Sequence, residues 1–286
     1  MFVALTLFTI MFALGLGLRS DAIAGLRQKP FLIARVLVGS CLLVPLLALL
    51  LLLMLPLSAS LSGTARLAIA LMALCPSAPM ILRKAGKKGG DTELAALLQV
   101  GAALVAIVSI PFMADVFRAA FGVQNWDIGP KEVALQVGRT QVLPLLLGLL
   151  VRRWLPGLTK TVEVPLNKLA NGLLLVLIGG VVVTTGPLLI PFVGANWLAL
   201  GFMGVLVLLC LGVGYLMTPT SASHERLTVS LVTSMRNPGL ALLFASTYAR
   251  DLAGVKIAVV AYLVVTVLLS IPVLKLIGRS PTLASA

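Results

Sequence analysis

Arg236 is the residue whose type and position most demand a chemical explanation. It lies in Ser234-Met235-Arg236-Asn237-Pro238-Gly239, inside an apolar stretch near 227–249. An arginine at the middle of a bilayer costs about 2.5–3.5 kcal/mol on insertion scales, so such a side chain faces a cavity or a partner. The acids are Asp21, Asp91, Glu93, Asp115, Asp127, Glu132, Glu163, Glu225 and Asp251. All fall between apolar stretches or near their ends, which leaves no carboxylate at mid-depth to pair with the guanidinium. Two roles stay open for it. It binds an anionic substrate, a carboxylate or sulfonate above all, or it caps carbonyls that a break in the helix sets free.

The neighbours of Arg236 suit such a break. Pro238 removes a helical hydrogen bond and clashes with the preceding turn. Gly239 allows unusual dihedrals, and Asn237 can bond freed backbone. A helix restarting after Asn237-Pro238-Gly239 presents a positive N-terminal end, which also favours an anion. A second interruption reads Leu74-Cys75-Pro76-Ser77-Ala78-Pro79-Met80. Ser77, Ala78 and Pro79 would let backbone approach a ligand there, and Gln99 is a polar residue in the apolar stretch that follows. The candidate substrate-binding residues are therefore Arg236, Asn237, Pro238, Gly239, Ser77, Pro79 and Gln99. Ser40, Thr233 and Ser234 are weaker candidates, because hydroxyls in helices often bond their own backbone. Arg139 lines a cavity mouth or snorkels to the outer interface. His224, in a connection beside Glu225, receives no role.

The elements that must position these residues are apolar helices. Of 286 residues 60% are hydrophobic and 11% charged, against about half and about a quarter in soluble domains. A soluble surface cannot absorb that excess, whereas lipid can. Nine apolar stretches occur, near 1–18, 31–55, 64–83, 92–121, 132–151, 166–191, 196–217, 227–249 and 255–277. Backbone polarity makes spanning segments helical, and runs such as Leu42–Leu55 lack the alternation of barrel strands. The fold class expected is an all-α polytopic membrane protein of about nine transmembrane helices. No basic residue precedes the first stretch and no clear small-residue cleavage site follows it, so Met1–Leu18 reads as a short first span rather than a signal peptide.

Lys and Arg number 22 against 9 Asp and Glu. The basic residues cluster at alternate connections: Arg19, Arg27, Lys29 and Arg35; Arg83, Lys84, Lys87 and Lys88; Arg152, Arg153, Lys160 and Lys168; Arg226; Lys275 and Arg279. The opposite connections hold Arg66, Arg118, Lys131, Arg250 and Lys256. The positive-inside rule then places the N-terminus outside and the C-terminus in the cytoplasm. This pattern accounts for the positive charge without nucleic acid, and no aromatic–basic interleaving points to one. Cys41, Cys75 and Cys210 sit apart in apolar stretches, with no metal or disulfide spacing. No metalloprotease, nucleophile-elbow or phosphate-loop signature is present, so neither an enzyme nor a cofactor is expected.

Two interrupted spans at matching places are the pointer to an inverted-repeat transporter with its site at the midplane. The chain resembles the bile acid:sodium symporter family. Met11-Phe12-Ala13-Leu14-Gly15-Leu16-Gly17-Leu18 is similar to its M-F-x-x-G-L-x-L segment. Cys75-Pro76 with the small residues after it is similar to its C-P-G-G-x-x-S-N crossing, and Met235-Arg236-Asn237-Pro238-Gly239-Leu240-Ala241 to its M-Q-N-S-G-L-A crossing. Pro144-Leu145-Leu146-Leu147-Gly148 matches a P-x-x-L-G stretch.

The resemblance begins at the second helix of ten-helix members. It implies one membrane unit of inverted repeats with two discontinuous crossing helices, here lacking the first helix. A panel part would take 1–18 and 132–191, and a core part 31–121 and 196–277. Substrate would bind between them at a plasma (inner) membrane.

The resemblance also implies where sodium ligands would lie. Ile81 and Leu82 stand at a Ser and an Asn, Val232 at a glutamate, Arg236 and Ser40 at two glutamines, and Ala95 and Gln99 at a Ser and a Thr. Aliphatic side chains supply no oxygen for a hard cation. The expectation is a secondary transporter of a small organic anion that works by alternating access without the two-sodium scheme. Sodium itself stays open, since backbone and hydroxyl oxygens could still serve a symporter. A non-transporting sensor or interaction protein with the same fold is the third reading.

Overall fold

The computed structural model describes residues 2–18, 29–54, 56–77, 81, 85, 89–121, 130–218, 223–248 and 253–279. Among them there is no strand, and the helices satisfy their own backbone polar groups, as a bilayer requires. The helices are α1 (Phe2–Gly17), α2 (Pro30–Val38 and Val44–Met54, joined by a π-helical turn at Gly39–Leu43), α3 (Gly63–Leu74), α4 (Thr92–Phe121) and α5 (Pro130–Val137 and Leu143–Trp154, joined by a π turn at Gly138–Val142). They continue as α6 (Pro156–Ala195), α7 (Trp197–Leu216), α8 (Ser223–Ser234), α9 (Pro238–Tyr248) and α10 (Ala253–Arg279).

Among the described residues, six stretches are long and apolar enough to cross a membrane whole: α2, α4, α5, α6, α7 and α10. The apolar α1 is shorter, at 16 residues. The third and eighth apolar stretches are broken helices. α3 stops at Leu74, and α8 stops at Ser234 before α9 begins at Pro238.

α6 departs from expectation. Instead of a span near 166–191 after a connection, one helix of 40 residues runs from Pro156 to Ala195. At 1.5 Å per residue it is about 60 Å long, twice a hydrocarbon core of about 30 Å. The charged residues of this helix, Lys160, Glu163 and Lys168, all lie in its first four turns. Pro165, Pro187 and Pro191 all lie inside this helix.

Both π turns have a cause in sequence. In α2 the Val44 N–H reaches back to Gly39 O. The next residue, Pro45, has no N–H to give. In α5 the Leu143 N–H reaches Gly138 O, and Pro144 follows. Each proline is thus accommodated by one wide turn beginning at a glycine.

Packing joins α1 with α5 and α6. A second group brings α3, α7, α8 and α9 around α10, with α2 and α4 against them. α1 and α5 touch backbone to backbone. A Cβ on Gly15 would fall into the Leu145 carbonyl oxygen, and one on Gly148 into the Phe12 carbonyl oxygen. Close approach at small residues is how helices associate where lipid provides no hydrophobic drive.

Polar contacts fall on two faces. On one, Arg152 bonds the Leu16 carbonyl and lies 3.5 Å from Glu163, and Lys29 pairs with Glu225. These tie the end of α1 to the α5–α6 junction, and the start of α2 to the start of α8. On the other, Ser62 Oγ bonds Asn196 Oδ1 at 2.9 Å and Gln136 bonds Thr247. They link the start of α3 to the α6–α7 junction, and the start of α5 to the end of α9.

Candidate functional site

The two interruptions meet in the interior. After Leu74 the chain leaves the helix at Cys75–Ser77, and Met235–Asn237 separates α8 from α9. The Asn237 N–H donates to the Cys75 carbonyl at 3.0 Å, a direct backbone bond between the breaks. Ser77 sits at φ 52°, a left-handed conformation that is costly for any residue but glycine. It is held there by Gln99: Ser77 Oγ donates to Gln99 Oε1 at 2.9 Å, and Gln99 Nε2 donates to the Ser77 carbonyl at 3.3 Å. Ser77 and Gln99 are both buried.

Arg236 is 2% exposed, and its hydrogen bonds go to carbonyl and hydroxyl oxygens rather than to a described carboxylate. Nε donates to Met72 O at 3.1 Å, Nη1 to Ser40 O at 3.1 Å and Ser40 Oγ at 3.0 Å, and Nη2 to Ala73 O. Met72 and Ala73 lie in the last turn of α3, whose carbonyls have no intrahelical donor. A cation is favoured at that negative helix end. Of the two roles open from sequence, the contacts observed are those of the carbonyl cap.

Asn237 caps α9 by accepting the Leu240 N–H at 3.1 Å on Oδ1. Its Nδ2 is buried without a hydrogen-bond partner. That orphan donor sits at the positive end of α9, beside Gly239, whose own Cβ would touch Leu7 of α1 at 3.0 Å. A narrow cleft is lined by Leu177 and Val181 of α6, Pro238, Gly239 and Leu242 of α9, and Val260 of α10. Pro79 and Ala78 lie outside the described residues. The structure therefore brings Ser77 together with Gln99 and places Pro238 and Gly239 along a cleft, with Asn237 buried just before them and Arg236 bonded to the end of α3.

The weaker candidates separate cleanly. Thr233 and Ser234 bond their own helix at Val229 O (3.0 Å) and Ser230 O (2.7 Å), as their type suggests. Ser40 joins the Arg236 cluster. Arg139 is exposed on the α5 π turn. Ile81, Ala95 and Val232 are buried, and Leu82 lies outside the described residues.

Residues 4–192 match the Sodium Bile acid symporter family. The chain belongs to that family. This sodium bile acid symporter family member is an integral, multi-pass membrane protein of a transporter family, rather than of an enzyme family. The stretch carrying Arg236 and the second crossing lies beyond the matched residues. Among curated proteins none matches the chain.

Sequence reasoning missed three features of this family member. Gln141 in α5 is buried, and its Nε2 has no partner; a glutamine inside an apolar stretch was the available signal. Tyr262 of α10 is fully buried with an unpartnered hydroxyl. His224 does not stand alone: with Asp91 and Glu225 it forms a cluster whose potential ligand atoms lie within 4.8 Å of one another. The acids there are already engaged. Asp91 caps α4 through the Leu94 N–H at 2.9 Å, and the Lys29 ammonium pairs with Glu225.

Proposed function

We propose that the protein is a secondary transporter of a small organic anion that works by alternating access, with no requirement for the two-sodium scheme. The observation that carries this reading is Asn237 Nδ2, a buried donor without a partner at the N-terminal end of α9, directly before Pro238 and Gly239, which line the cleft against α6. Leaving such a group unmet costs about 1–3 kcal/mol, and an anionic oxygen would meet it. The helix end and the nearby guanidinium both set a positive potential there. No described carboxylate opposes it. The apolar walls suit an organic body behind the charged group.

The absence of sodium coupling is supported by the side chains at the positions the family resemblance assigns to ion ligands. Ile81 and Val232 are buried and aliphatic, and Arg236 brings a fixed positive charge. In this reading α1, α5 and α6 form the panel and the remaining helices the core. Substrate sits between them, and rocking of one against the other exposes it alternately. The basic rim supports an N-terminus outside and a C-terminus in the cytoplasm, at a plasma (inner) membrane. Ser77, Gln99, Pro79, Asn237, Pro238 and Gly239 shape the site, and Arg236 acts on substrate through its field.

The test is a thermal-shift screen of the purified protein against carboxylates, sulfonates and matched uncharged analogues, followed by counterflow in vesicles. Stabilisation by anions, and counterflow of the same compounds, is expected. Binding without counterflow would turn the reading towards a sensor, and a response confined to uncharged compounds would overturn the anion assignment.

A further inference from the structure

The acceptors around Arg236 come from two separate stretches of chain, and the guanidinium itself from a third. Each backbone acceptor is free for a reason that can be read from the chain. In α2 the Val44 N–H is taken by Gly39 O, and Pro45 has no N–H, so the Ser40 carbonyl is left without a helical donor. At the end of α3 the Cys75 N–H goes to Leu71 O, and the chain then leaves the helix, which frees Met72 O and Ala73 O. Ser40 Oγ completes the set. Three carbonyl oxygens and one hydroxyl oxygen thus converge in a buried place as acceptors, and without the guanidinium the carbonyls would lose the donors it supplies. Oxygen ligands are the kind a hard cation takes. A guanidinium, which keeps its proton in proteins, occupies that place here.

We infer that Arg236 is a covalently attached cation filling an oxygen cage of Ser40 O, Ser40 Oγ, Met72 O and Ala73 O, and that the cage, once emptied, is a binding site for a free small monovalent cation. The arrangement locks α2, α3 and the α8–α9 break into one body with no ion taken from solution. Met72 and Ala73 make it bridge the first interruption to the second, alongside the Asn237–Cys75 backbone bond. The inference concerns how the crossing is held. It is read out by binding and stability, so it can fail while anion transport stands, and transport can fail while the cage stands.

The experiment is thermal unfolding of the purified full chain and of Arg236→Ala, each titrated with methylguanidinium, sodium or potassium chloride at millimolar concentrations, with choline chloride as the ionic-strength control. The native protein is expected to respond no more to these cations than to choline. Arg236→Ala is expected to unfold at a lower temperature and to regain part of the loss, saturably, with methylguanidinium or with an alkali ion. Which of the two restores it shows whether the cage keeps its shape for a planar cation or contracts around a spherical one. An Arg236→Ala protein indifferent to all three cations overturns the inference.

If Arg236→Ala does not accumulate in a folded form, Arg236→Lys and Arg236→Met decide. Lys keeps the charge and Met keeps only the bulk. The cage requires Lys to be the more stable, and a Met variant equal to or better than Lys would leave Arg236 a packing residue.

Discussion

Asn237→Ser separates the two things that Asn237 can do. The side chain caps α9 with Oδ1 and carries an unpartnered Nδ2 donor. Serine is as good an N-cap as asparagine, whereas alanine at such a position costs about 0.5–2 kcal/mol. Serine keeps the acceptor for the Leu240 N–H but lacks the amide NH2. If Nδ2 meets an anionic oxygen of the substrate, its loss costs about 1.5–3 kcal/mol, the range for a hydrogen bond to a charged group. At about 1.4 kcal/mol per tenfold change, kcat/KM for uptake falls about 10- to 150-fold. The assay is initial-rate uptake into proteoliposomes beside thermal unfolding of the same preparation. Asn237→Ser should keep its unfolding temperature within a few degrees of native and lose uptake, and Asn237→Ala should lose both. An Asn237→Ser protein that transports within about twofold of native, a difference of about 0.4 kcal/mol, would reduce Asn237 to a cap and remove the donor from the account.

Other consequences follow from the packing. Gly148→Leu forces side-chain atoms into the Phe12 carbonyl and drives α1 from α5. Overpacking of this kind costs about 1–3 kcal/mol or more, so lower accumulation and a lower unfolding temperature are expected, while Gly186→Leu, where added atoms meet open space, should be tolerated. Gln99→Leu removes both bonds that hold Ser77 in its left-handed conformation. It should slow uptake and expose Cys75 to a membrane-permeant thiol reagent that leaves the native protein unlabelled. Glu225→Lys should weaken function by setting two ammonium groups together between the starts of α2 and α8, and the double variant Lys29→Glu/Glu225→Lys should recover most of it. A double variant no better than the single one would show that the pair carries no coupling.

Much of this architecture is visible in the residue string because membrane helices are encoded locally. The apolar stretches, the basic rim and the prolines at both breaks each follow from a few neighbouring residues. The interruption at 235–237 and that after Leu74 could be read for this reason. The π turns were legible in principle, since Pro45 and Pro144 each stand six residues after a glycine, but that spacing does not by itself distinguish a wide turn from a kink. The length of α6 was hidden because the apolar stretch near 166–191 starts only after Pro165, whereas that proline lies inside the helix.

A carbonyl cap was one of the two roles open for Arg236, and the resemblance set Ser40 and Arg236 among the same ion-ligand positions, but the particular carbonyls could not be read. Ser40 is 196 positions away and Ala73 163, and only the folded crossing brings their oxygens together. The same holds for His224, which gains Asp91 from a distant helix start, and for Gly15 and Gly148, whose contact is between backbones. The residue types told what each group could do. Which neighbour it does it with was set by tertiary packing.

The most direct test is uptake of an anion already shown to counterflow, into proteoliposomes whose inner and outer solutions contain choline in place of sodium. Saturable uptake of that anion without sodium, unchanged when an inward sodium gradient is added, is the result predicted by a crossing whose cation is Arg236. Uptake that appears only with the sodium gradient would contradict the account.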